Sequence, residues 1–111
     1  MEFYLLSNNT DHVSGVATVQ SRFRGHVHSH AEPERYVLLS GMGILRVNGI
    51  NTIMREGDDV TIPGGSPHAF ITLGRKASKL FFEFGRGPLA SIKYTYTNTF
   101  LRPTALKICY D

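Results

Sequence analysis

Asn48-Gly49 separates two β-prone segments, Met42–Val47 (MGILRV) and Ile50–Arg55 (INTIMR). A two-residue turn of type I′ needs positive φ at both central positions. Asn and Gly reach that region at least cost, so the pair predicts a tight β-hairpin. The rest of the chain is punctuated in the same way. Val16–Phe23, Glu34–Leu39 after Pro33, Val60–Ile62, His68–Leu73 and Lys79–Phe84 read as further strands, and Ser91–Leu101 as one more extended segment. Turn signals return about every eight to twelve residues, the spacing of an all-β sandwich or barrel. No helical period persists beyond a turn or two, and no repeat interrupts the pattern. The expected fold is a double-sheet jelly roll.

The chain has 111 residues, the size of one domain. Its apolar fraction of 41% and charged fraction of 19% are those of an ordinary globular protein. The net charge of +3 comes from scattered residues, and only Arg75-Lys76-x-x-Lys79 approaches a cluster. Without aromatic and basic interleaving, this excess gives no case for nucleic acid. No segment approaches the ~20 apolar residues of a membrane span. Met1–Leu6 lacks the charged start and apolar run of a signal peptide. Cys109 is the only cysteine, so no intrachain disulfide can form, and its place near the chain end is a poor one for a catalytic thiol. Together these features predict a cytoplasmic protein.

His28 and His30 stand two residues apart, so on a strand they share one face, about 6.5–7 Å apart. Glu34 follows with a carboxylate. His68 lies beyond a corner rich in Gly and Pro (Gly57, Pro63, Gly65) that could turn it back over the sheet. Three imidazoles and a carboxylate form a mixed N/O set that suits Fe, Ni, Cu or Zn, and Mn less strongly.

The same residues carry a family resemblance. The chain reads His28-x-His30-x3-Glu34-x6-Gly41, then Gly57-x5-Pro63-x-Gly65-x2-His68, with fifteen residues between Gly41 and Gly57. This resembles the two motifs of the cupin superfamily, G-x5-H-x-H-x3,4-E-x6-G and G-x5-P-x-G-x2-H-x3-N, separated by the short spacer of small single-domain members. Two positions depart from the pattern: Arg22 stands where the first glycine is expected and Thr72 where the last asparagine is. The resemblance implies one cupin domain over 1–111, a double-stranded β-helix, with the first motif at about 25–41 and the second at about 57–72. It also implies one divalent ion (Fe, Mn, Ni or Zn) held by His28, His30, Glu34 and His68.

Such a site fits a small chelating molecule, with the ion acting as a Lewis acid or an O₂ activator. Two readings follow. The first is a metal-dependent enzyme on a small polar or aromatic metabolite, of dioxygenase type or another Lewis-acid chemistry (isomerase, lyase, decarboxylase). The second is a non-catalytic small-ligand-binding or sensor cupin. Tyr36 and His26 are the candidate catalytic residues: Tyr36 for its hydroxyl, and His26 for sharing strand parity with His28 and His30. Arg46, Phe70, Thr72, Phe82 and Phe84 are the candidate pocket residues, and Arg24 is a further basic candidate. Glu32 is expected to be exposed, separated from Glu34 by Pro33. His12 is expected to play no part. The terminal segments, Phe3–Leu6 and Ser91–Leu101, either pair across the interface of a homodimer or complete the chain's own sheet.

Overall fold

The computed structural model describes residues 1–102. Ten strands follow in order: β1 (Glu2–Asn8), β2 (Val13–Val19), β3 (Gly25–Ser29), β4 (Glu34–Ser40), β5 (Met42–Val47), β6 (Ile50–Arg55), β7 (Asp59–Ile62), β8 (His68–Thr72), β9 (Ser78–Phe84) and β10 (Thr95–Leu101). They form two five-stranded sheets, ordered β1-β2-β9-β4-β7 and β10-β3-β8-β5-β6. Every pairing is antiparallel. This is the double-stranded β-helix that the turn spacing predicts.

The hairpin forms where the turn chemistry places it. Asn48 has φ 51° and Gly49 φ 79°, and Val47 pairs directly with Ile50. Other boundaries shift. The segment expected over Val16–Phe23 is a strand from Val13 to Val19, because the chain turns where Phe23 N–H donates to the Gln20 carbonyl. The final segment does not run unbroken from Ser91. Leu89–Ser91 is a short 3-10 turn, and β10 begins at Thr95.

Alternation sets the interior. β4 turns Glu34, Tyr36 and Leu38 inward, and β9 turns Leu80, Phe82 and Phe84 inward; all six are buried. All but Glu34 meet Leu45, Met54 and Phe70 of the second sheet in one core. Burying each Leu or Phe side chain there contributes roughly 1.5–3 kcal/mol. On the outside of the first sheet, Arg35 bridges Asp59 (2.7 Å) and Glu83 (3.3 Å). His12 does have a structural place there. It joins Ser7 (2.6 Å) to Glu83 (2.7 Å) and so ties the first hairpin to β9. A second apolar cluster (Val27, Ile44, Ala69, Ile71, Leu73 and Leu101) lies on the opposite face of the second sheet.

The terminal strands complete the chain's own sheets: β1 pairs with β2, and β10 with β3. Both are edge strands. Cys109 lies outside the described residues. Among those residues, no helix is long and apolar enough to cross a membrane.

Candidate metal centre

β3 and β8 are neighbours in register, and His28 is the direct cross-strand partner of His68. Opposed residues on one face of an antiparallel pair have Cβ atoms about 4.5–5.5 Å apart, so the register alone joins two imidazoles from distant parts of the chain. Their ring centroids are 4.4 Å apart. His30 follows just past the end of β3, with its ring 5.0 Å from His68 and 6.1 Å from His28. One ring nitrogen from each of the three lies within 4.8 Å of the others. Glu34, the first residue of β4, points inward beneath them. Its Oε1 is 3.1 Å from His30 Nε2 and 3.4 Å from His68 Nε2.

The outer nitrogens settle the tautomers. His28 Nδ1–H donates to the His26 carbonyl, His30 Nδ1–H to the Glu32 carbonyl, and His68 Nδ1–H to the Ser66 carbonyl, each at 2.8 Å. A carbonyl only accepts, so each Nδ1 carries a proton, and each Nε2 is left to offer a lone pair to the interior once its ring is neutral. His68 Nε2 is fully buried and has no hydrogen-bond partner among the described residues. Glu34 Oε1 lies 3.4 Å from it, beyond ordinary hydrogen-bond length. An orphaned buried nitrogen is costly unless something else meets it. The residues therefore fit a divalent ion: three imidazole nitrogens and a carboxylate aimed at one point, with carbonyls behind them fixing the rings.

The charge pattern agrees. Burial pushes Glu34 up, but the hydrogen bond from His30 and the nearness of the His68 and His30 rings outweigh it, and its pKa falls below the usual carboxylate value. Burial lowers His28 below 6.5, with His68 and His30 adding to the drop. His30 is pushed down by burial but held above 6.5 by its hydrogen bond to Glu34 and that carboxylate's charge. With a proton on Nε2, His30 donates to Glu34. With that proton gone, both ligand atoms face the same point.

A cavity of about 400 Å³ opens beside this group. His28, Glu34 and Tyr36 meet it at the histidine end, Phe70 and Phe82 form its wall, and Met1, Phe3, Tyr94 and Tyr96 form its rim. Among the described residues, no Lys or Arg lines it. Tyr36 is buried 6.2 Å from the His68 ring, and burial together with the Glu34 charge raises its hydroxyl well above 10. Tyr94 lies 5.2 Å from His30 and 5.6 Å from His28, and burial and the same carboxylate raise it too.

Several expectations need correction. Arg46 does not enter the cavity. It shares the outer face of β5 with Ile44 and donates to Asn51 (2.7 Å). Arg24 lies over the Phe100 ring (5.2 Å). Thr72 faces inward but sits too far along β8 to reach the cavity, and its hydroxyl donates to the Val19 carbonyl (2.7 Å). Phe84 packs edge-on against His30 (5.1 Å) and supports the ring from behind. His26 borders the cavity, but its Nε2–H is given to the Thr97 carbonyl and its ring stacks on Phe100 (4.2 Å). Glu32 is buried, not exposed, and is paired with Arg86. Sequence reasoning missed Tyr94 and the N-terminal rim as cavity residues. Tyr94 follows a 3-10 turn, where no periodicity marks its direction.

The profile of the cupin domain family matches residues 15–83. A dimethylsulfoniopropionate lyase of Ruegeria pomeroyi is 29% identical over 87 residues, which is 78% of this chain and 57% of the relative. The chain thus spans little more than half the length of that curated relative. Among solved structures, a double-stranded β-helix protein of Klebsiella pneumoniae superposes with a TM-score of 0.76 at 17% identity, covering 88% of this chain and 84% of its own. The salicylate 1,2-dioxygenase of Pseudoaminobacter salicylatoxidans superposes at 0.74 with 13% identity, over 87% of this chain and 29% of the other. Because the family match begins in β2 and ends in β9, with every imidazole of the centre inside it, the chain belongs to the cupin domain family.

Proposed function

We propose that this chain is a metal-dependent cupin enzyme acting on a small metabolite, with His28, His30, Glu34 and His68 holding one divalent ion. The observation that carries this reading is the convergence of three Nε2 atoms, each with its Nδ1 proton spent on a backbone carbonyl, around the orphaned His68 Nε2. When bound, such an ion supplies Lewis-acid polarisation of a substrate oxygen, or O₂ activation if it is redox-active.

The chain's own residues decide what reaches that point. With no Lys or Arg among the described residues on the walls, a substrate carboxylate has the ion as its cationic partner in the cavity. The other end of the substrate lies among Phe3, Phe82, Tyr94 and Tyr96, faces that take an apolar group or an onium cation. The raised Tyr36 and Tyr94 hydroxyls stay protonated at neutral pH, so each donates a hydrogen bond to a substrate oxygen or returns a proton to it. His26, its Nε2–H committed to the Thr97 carbonyl, ties the cavity wall to β10.

Within the class, a lyase reaction on a short carboxylate bearing an onium or other leaving group is the reading favoured. The curated relative is a lyase that acts on a sulfonium carboxylate, and a cavity whose described lining is aromatic and holds no Lys or Arg suits that chemistry. The test is direct. The purified protein is analysed for metal, then assayed for dimethylsulfoniopropionate cleavage and, separately, for O₂ uptake with gentisate. Cleavage that a chelator abolishes supports the lyase. Metal-dependent O₂ uptake moves the assignment to the dioxygenases. Bound metal with neither activity favours the non-catalytic binding reading.

We also propose that the protein is a single-domain cytoplasmic homodimer. Its lone Cys109 suits a reducing compartment. The β1 edge exposes Phe3, Tyr4 and Leu6 at 51–60%, and a partner's β1 would cover them.

A further inference from the structure

Beside the three histidines lies an ion pair that the proposed chemistry does not use. We infer that Glu32 and Arg86 act as a clamp that positions His30, so that the geometry of the metal centre depends on a pair of residues outside it. This inference rests on the metal reading above.

The three imidazoles are not held alike. His28 and His68 sit on paired strands, where the ladder fixes both backbones. His30 lies beyond Ser29, the last residue of β3, and before Glu34, the first of β4. Between them the chain has no ladder. Two hydrogen bonds to backbone carbonyls help to hold it instead. Gly65 N–H donates to the His30 carbonyl (2.7 Å), and the His30 ring donates through Nδ1 to the Glu32 carbonyl (2.8 Å). The first contact needs the Pro63-Gly64-Gly65 corner to come close, and a Cβ at Gly64 would run into the Ala31 carbonyl. The second makes the backbone position of Glu32 the stop that sets the rotation of the His30 ring.

What fixes Glu32 is its own side chain. It is only 8% exposed, and its Oε2 accepts from Arg86 Nη2 (3.0 Å) and Nε (3.3 Å). Its Oε1 is buried with no hydrogen-bond partner among the described residues. A buried carboxylate half satisfied in this way leans on a single guanidinium, and removing that guanidinium leaves an uncompensated charge. Arg86 stands two residues past Phe84, whose ring packs on His30. The end of β9 and the residues after it therefore reach His30 by two routes: Phe84 packs edge-on against its ring, and Arg86 acts through Glu32.

Cobalt(II) is the probe, since its visible absorption reports ligand geometry. The metal-free full-length protein is titrated with cobalt as wild type, Arg86→Ala, Arg86→Lys, Glu32→Gln and His30→Ala, and the melting temperature of each metal-free protein is recorded. Arg86 is largely exposed, so Arg86→Ala should fold even if Glu32→Gln does not. The expected result is a loss of about 10- to 100-fold in cobalt affinity for Arg86→Ala, with an altered visible band. Arg86→Lys should recover most of both. Suppose Arg86→Ala and Glu32→Gln keep the wild-type affinity and band, whatever their melting temperatures, while His30→Ala loses cobalt. The clamp is then overturned and the metal centre stands. If His30→Ala also binds as wild type, the metal reading itself falls.

Discussion

His68 is the residue whose surroundings most demand a partner. It is fully buried, its Nδ1 is committed, and its Nε2 meets only a long contact with a carboxylate. Replacing His28, His30, Glu34 or His68 singly by Ala should therefore weaken metal retention strongly, as read by equilibrium dialysis. Unchanged stoichiometric binding in all four variants would remove the assignment. The shifted groups also set a pH dependence for the metal-free protein. Glu34 lies below its ordinary 4.5, so its contribution to stability is present above that value and is lost as pH falls through its folded pKa. His30 lies above 6.5, so its bond to Glu34 contributes fully below 6.5 and fades as pH rises through its folded pKa. His28 lies below 6.5 and opposes folding once acid begins to protonate it. After chelation the His30–Glu34 pair thus helps most between about 4.5 and 6.5. Metal, which needs the imidazoles free of protons, helps most above that window. Melting curves with and without chelator should diverge more at pH 7.5 than at pH 5.5, and equal gaps at both would contradict this balance.

At the scale of elements, the sheet depends on local devices that differ in how far the sequence reveals them. The Asn48-Gly49 turn was legible because its requirement, two positive φ angles, is met by the two residues themselves. The pairing of His28 with His68 was legible only as a family spacing. Nothing in either segment states the register that brings β8 beside β3. Arg46 was misplaced for a physical reason. β5 buries Leu45 on one face and Ile44 on the other, so its alternation carries no polarity to say which side is the interior. Thr72 had the right face but the wrong depth, a coordinate along the barrel that periodicity does not contain. Two substitutions check the packing. Gly43→Ala would push a Cβ into the Phe70 ring, and overpacking of this kind should cost about 1–3 kcal/mol by denaturant unfolding. Thr72→Val keeps the shape but strands the buried Val19 carbonyl, for a loss of about 1–3 kcal/mol. A neutral result for either would show that the barrel end relaxes around the change.

At the scale of the whole molecule, the cavity opens between two edge strands, β1 of one sheet and β10 of the other. Phe3 therefore serves two surfaces. It meets Phe82 edge-on (6.0 Å) at the rim and remains half exposed beyond it. A dimer that covers β1 would shield the cavity mouth as well. Light scattering should report about twice the chain mass of 12.4 kDa. Phe3→Asp should shift it toward the monomer and raise the Michaelis constant of whatever substrate the assays identify. A wild-type monomer would separate the cavity from any subunit contact.

The central claim is that three imidazoles and Glu34 form a metal centre, and calorimetric titration of the metal-free protein at pH 7 and near pH 6, in buffers of different ionisation heat, tests it most directly. The account predicts one ion per chain, weaker binding at the lower pH, and release of protons on binding near pH 6, because the imidazoles must give up protons to coordinate. Absence of saturable binding at pH 7, or binding unchanged by His68→Ala, would contradict it.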